Sequence, residues 1–65
     1  MSLADDVYDI TNKCQDAKAK EGKNFEFKVC SRDAGNYFIL YIDSFPYEFG
    51  SAADCMTFID SYINS

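Results

Sequence analysis

NFEFKVCSRDAGNYFILYIDSFPYEF (residues 24–49) decides the fold. Its first part alternates: Phe25, Phe27 and Val29 point one way, while Glu26, Lys28 and Cys30 point the other, the pattern of a half-buried strand. DAGN (residues 33–36) reads as a turn, because Gly35 and Asn36 both tolerate positive φ. YFILYI follows as a second strand, apolar on both faces. Asp43 and Ser44 make a short connection to FPYEF, in which Phe45, Tyr47 and Phe49 share a face. Pro46 has no N–H to give to a ladder, so this third strand is expected at a sheet edge.

The two hairpin alignments check each other. Pairing Arg32 with Tyr37 sets Val29 opposite Leu40 and Phe27 opposite Ile42. Pairing Ile42 with Phe45 sets Leu40 opposite Tyr47 and Phe38 opposite Phe49. Both alignments gather the large apolar residues on one face, and a one-residue slip in either would undo that agreement.

Helices are expected on both sides of this meander. Before it, Leu3, Val7, Ile10, Cys14 and Ala17 recur at helical spacing as one narrow apolar stripe. Ser2 stands at the N-cap position, Asp5, Asp6 and Asp9 near the positive end of the dipole, Lys18 and Lys20 near the negative end, and Gly22 at the stop. Asp9 with Lys13 and Asp16 with Lys20 have the spacing of i,i+4 ion pairs. After the meander, Ser51 caps a second helix, with Ala52, Cys55, Met56, Ile59, Tyr62 and Ile63 on one side and Phe58 at its flank. The expected architecture is α+β in the order α-β-β-β-α: a three-stranded antiparallel meander with both helices on its Phe-rich face, one small domain over residues 1–65.

A chain of 65 residues buries only roughly 60% of its unfolded surface, so each large side chain matters. Six Phe and five Tyr supply the apolar area that lets so short a chain fold without staples. Three cysteines without paired spacing fit reduced thiols in an intracellular, cytoplasmic protein better than a secreted disulfide framework. The acidic start lacks the basic and apolar regions of a signal peptide, and no apolar run is long enough to span a bilayer.

Little in the chain points to catalysis. It has no His, which removes the commonest general base and metal ligand at neutral pH. Cys14 and Cys55 fall on inward faces, where a thiol acts as a small apolar group. Cys30 falls on the outer sheet face beside Lys28 with no base to activate it. No phosphate-binding loop, dinucleotide fingerprint, paired-cysteine or calcium motif is present. The expectation is a protein that is not an enzyme and uses no cofactor or metal.

Two surfaces remain. The sheet face away from the helices carries Glu26, Lys28, Cys30, Tyr37, Ile39, Tyr41, Pro46 and Glu48. Tyr37, Ile39 and Tyr41 form a row on the central strand, rimmed by Lys28 and Glu48, and this is the candidate partner-binding surface. Asp5, Asp9 and Asp16 share one side of the first helix and form an alternative acidic face. The net charge is −5, yet all six basic residues lie within residues 13–32, and from position 33 onward there are five acids and neither Lys nor Arg. That basic zone (Lys13, Lys18, Lys20, Lys23, Lys28 and Arg32) supports an alternative, nucleic-acid binding, which the acidic remainder disfavours.

The element order, with the placement of FEFKV, YFILYI and GSAADC, resembles double-stranded RNA-binding domains. That resemblance implies the architecture only. Where that family's second helix opens with phosphate-gripping lysines, this chain has Gly50, Ser51, Ala52, Ala53 and Asp54, and its first hairpin loop carries Asp33 and no His. In size and charge the chain is similar to small acidic inhibitors from phages and mobile elements, anti-CRISPR proteins among them. The expected function is a non-catalytic protein–protein interaction module, an inhibitor or adaptor. Its partner would be a protein, such as one that itself binds nucleic acid, or a second copy of the chain in a homodimer; a membrane is not expected.

Overall fold

The computed structural model describes residues 2–64 and has the order α1 (Leu3–Glu21), β1 (Phe25–Arg32), β2 (Gly35–Ile42), β3 (Phe45–Phe49), α2 (Ala52–Asn64). The strands form one antiparallel sheet in the order β1-β2-β3, with Pro46 on an edge strand as expected. Helix starts and stops follow local chemistry. The Ser2 hydroxyl accepts the Asp5 N–H at 3.3 Å, and the Ser51 hydroxyl accepts that of Asp54 at 3.2 Å. Gly22 closes α1 in the left-handed region (φ 69°), its N–H donating to the Lys18 carbonyl at 3.0 Å.

The second hairpin has the expected register: Ile42 faces Phe45, Leu40 faces Tyr47 and Phe38 faces Phe49. The first does not. Arg32 pairs with Gly35, not Tyr37, so Val29 meets Phe38, Phe27 meets Leu40 and Phe25 meets Ile42. The loop shrinks to Asp33 and Ala34. Gly35 does take positive φ (127°), but as the first residue of β2, and Asn36 joins the ladder, its side-chain oxygen accepting from the Ser31 hydroxyl at 3.1 Å. The shift is two residues, an even number, so every side chain keeps the face assigned to it. The inner face is thereby built in rungs: Val29-Phe38-Phe49, Phe27-Leu40-Tyr47 and Phe25-Ile42-Phe45.

Both helices cover that inner face, α1 over β1 and α2 over β2 and β3. Ile10, Cys14, Ala17, Phe25, Phe38, Leu40, Ile42, Ala52, Cys55 and Ile59 form the buried core. The Tyr47, Phe49 and Tyr62 rings each pack at a tilt against Phe58 along its border. Leu3, the first member of the expected α1 stripe, stays 41% exposed. The expected pairs within α1 are not made. Among the described residues the ion pairs are Lys13–Asp60 at 2.8 Å, which ties α1 to α2, and Arg32–Glu48 at 2.9 Å. A cross-helix carboxylate within reach offers Lys13 a tie that an i,i+4 neighbour cannot.

The turn at Asp43 and Ser44 carries strain. Both residues have positive φ (50° and 72°), the mirror-image turn that matches strand twist and favours Gly at its second position. Asp43 recovers part of the cost, because its carboxylate accepts the Asn24 N–H at 3.0 Å. Ser44 has no such compensation. Replacing Ser44 with Gly is expected to stabilise the fold by about 0.5–1 kcal/mol, seen as a higher denaturation midpoint at unchanged slope.

Candidate functional site

The outer sheet face follows from the same registers. Its rungs are Glu26-Tyr41-Pro46, Lys28-Ile39-Glu48 and Cys30-Tyr37. Tyr37, Ile39 and Tyr41 thus stand in a row on β2 with Lys28 and Glu48 on either side of Ile39, so the structure brings all five sequence-predicted residues together. The three row residues are half-buried rather than open. Long side chains from the neighbouring strands account for this. The Arg32 guanidinium lies 3.6 Å from the Tyr37 ring centroid while its Nη2 donates to Glu48 Oε2 at 2.9 Å. The Lys28 ammonium lies 5.8 Å from the Tyr41 ring centroid. The Tyr41 hydroxyl raises the pKa of Lys28, and the Glu48 carboxylate first of all raises that of Arg32. Both cations therefore stay charged where they lie against the rings.

Arg32 is the functional candidate that sequence reasoning placed only in the basic zone. The expected alignment set it directly opposite Tyr37; in the structure Arg32 pairs with Gly35 and its side chain reaches diagonally to Tyr37 and Glu48. These residues, with Ala34, Gly35, Asn36 and Gly50, line a shallow depression of about 180 Å³ at the hairpin end of the sheet. The result is a face with aromatic anchors, one cation fixed by a carboxylate, a second beside a tyrosine ring, and two carboxylates, close to neutral overall.

The other candidates are dispersed or differently used. Asp5 and Asp16 are exposed and Asp9 is half-buried on α1. Among the described residues no group of three or more Cys, Asp or Glu side chains is arranged to hold a metal. The basic zone is split between two faces. Lys28 and Arg32 point away from the helices, Lys13 is engaged by Asp60, and Lys23 donates to the Tyr62 hydroxyl at 2.7 Å. No helix among the described residues is long and apolar enough to cross a membrane.

All three cysteines are free thiols. Cys14 and Cys55 are buried between the helices. Burial raises the pKa of both; for Cys55, burial first and the nearby Cys14 thiol second push it up to about 11 from an ordinary 9.0. A thiol whose folded pKa exceeds its unfolded value contributes stability that is intact below the unfolded value. That stability is lost as pH rises towards the folded one. Between about pH 9 and 11, Cys55 is therefore expected to withdraw on the order of 2–3 kcal/mol. Unfolding measured across this window should show a steeper alkaline loss for the natural chain than for Cys55→Ala; equal slopes would show that Cys55 is not the group responsible.

Compared with protein families, curated proteins and solved structures, the chain has no match.

Proposed function

We propose that the protein is a non-catalytic interaction module that works inside the cell by capturing a larger protein, as an inhibitor or adaptor, through the outer face of its sheet. The observation that carries this reading is the Tyr37-Ile39-Tyr41 row. Three adjacent large side chains stand on the face that the helices do not cover, with Arg32, held by Glu48, over Tyr37 and Lys28 beside Tyr41. Aromatic and Arg side chains are the residue types that dominate binding energy at protein interfaces. Anchors fixed before binding lose less freedom when they meet a partner.

The rest of the chain supports the non-catalytic part. It has no His, and burial raises the pKa of its two interior thiols, the opposite of what activates a thiol. The sheet face is favoured over the acidic side of α1 because the Asp residues there are spaced along a helix without an apolar anchor among them. Affinity capture from native lysate, with the natural chain beside one in which Tyr37, Ile39 and Tyr41 are made polar, tests the proposal. A partner retained by the first and lost by the second supports it; a partner held equally by both refutes it.

A further inference from the structure

The sheet has two edges of different character. β3 has five residues and carries Pro46, which shortens and blunts that edge. β1 has eight residues with neither Gly nor Pro. The Asp43 N–H donates to the Asn24 carbonyl at 2.9 Å while the Asn24 N–H goes to the Asp43 carboxylate, so the two residues make one of the two bonds of a hydrogen-bonded pair in the β1–β2 register. Hydrogen-bonded and non-hydrogen-bonded pairs alternate along an antiparallel ladder. The even-numbered residues of β1 therefore spend their N–H and C=O groups on β2. Those of Phe27, Val29 and Ser31 point off the free edge.

We infer that this edge takes a second copy of the chain, β1 against β1 in antiparallel sense, with Val29 opposite Val29 on the two-fold axis. The outward odd-numbered residues must pair with each other, so the two-fold has few permitted positions. Centring it on Lys28 opposes Lys28 to Lys28. Shifting it to Cys30 opposes Lys28 to Arg32. Centring it on Phe27 leaves the last part of the strand unpaired. Centring it on Val29 pairs residues 26–32 throughout, sets Glu26 opposite Arg32 of the second copy twice over, and places Lys28 opposite Cys30 of the second copy. Like charges face each other nowhere. Glu26 is exposed and has no ion-pair partner among the described residues, and the Arg32 guanidinium has N–H groups beyond the one given to Glu48.

The flank of α1 points the same way. Lys13, one position before the core residue Cys14, reaches Asp60 on α2, so the positions preceding core residues face α2. These are Asp9, Lys13 and Asp16, all charged. Positions following core residues lie about 100° round on the other side, beyond β1. These are Thr11, Gln15 and Lys18, of which Lys18 alone is charged; Tyr8, three residues before Thr11 on the same flank, is 68% exposed. A two-fold at Val29 brings this flank towards its own copy. The dimer joins two meanders into one continuous sheet and sets two tyrosine rows on one side of it.

Sedimentation across micromolar to millimolar protein tests the association, with Glu26→Arg as the variant, since position 26 is exposed and the fold does not use its charge. The natural chain is expected to show a reversible monomer–dimer equilibrium that Glu26→Arg weakens about tenfold, by opposing like charges at both ends of the paired strands. Lys28→Cys tests the register, because the introduced sulfur lies opposite Cys30 of the second copy in a non-hydrogen-bonded pair, at about 4.5 Å between Cα atoms. Mild oxidation should give a covalent dimer whose linked peptides join position 28 to Cys30. A natural chain that stays monomeric throughout, a Glu26→Arg chain that associates equally well, or links joining Cys30 to Cys30 would each overturn the inference. The association is independent of the outer-face reading. A dimer that captures nothing leaves it standing, and a monomer that captures a partner removes it alone.

Discussion

A chain carrying Leu40→Ala is expected to lose about 2–5 kcal/mol of stability. Leu40 is fully buried at the centre of β2, between Phe27 and Tyr47 on the middle rung of the inner face. The truncation removes its transfer free energy and leaves a cavity that rigid neighbours on both strands fill poorly. A domain of this length has a total stability of roughly 3–10 kcal/mol, so the loss is a large share of the whole. The thermal midpoint should fall by roughly 10 °C or more. Leu3→Ala is the comparison: at 41% exposure it should change stability by about 0.5 kcal/mol or less. Melting curves showing equal losses for the two would mean that the meander buries its other face.

That contrast marks where the sequence was informative. The division of each strand into an inner and an outer face was legible, because a period of two is strict and the Phe-rich set is large. The helix caps were legible from Ser2, Ser51 and Gly22. The pairing of Arg32 with Gly35 was not. A two-residue slip conserves every face assignment, so hydrophobic patterning cannot separate the two alignments, and only turn chemistry can. Gly35 and Asn36 have the chemistry of turn residues, yet each extra ladder pair they make lengthens the sheet. Asp33 and Ala34 complete the reversal without positive φ. Leu3 belongs to the stripe by spacing, but spacing does not tell where along a helix burial begins.

The site was legible in part for the same reasons. Face assignment alone placed Tyr37, Ile39 and Tyr41 together, and their neighbours Lys28 and Glu48 with them. The role of Arg32 was missed although the expected alignment already set it opposite Tyr37, because the diagonal reach of its side chain over that ring to Glu48 is not recorded by a period-two pattern. The partners of Lys13 and Lys23 depend on how α1 meets α2 and β1, which no local pattern records.

Replacing Tyr37, Ile39 and Tyr41 together with Ser, Thr and Ser is expected to weaken partner capture by a factor on the order of a thousand or more. Anchors of this kind each lose about 2 kcal/mol or more on truncation at the centre of an interface. Single changes should rank Tyr37 first. It is the ring that the Arg32 guanidinium covers, and its loss frees Arg32 as well, so the cation that Glu48 and the ring hold jointly is left with one tie. Fold retention must be shown alongside, because the row is half-buried; circular dichroism and a thermal midpoint within several degrees of the natural chain suffice. Charge reversal of Asp5, Asp9 and Asp16 supplies the contrasting arm. If the sheet face is the contact, that variant should capture with at most a modest change in association rate and salt dependence, the signature of charges outside the buried centre. Full capture by the row variant, with loss in the Asp variant, would move the interface to α1 and leave the tyrosine row as ordinary strand surface.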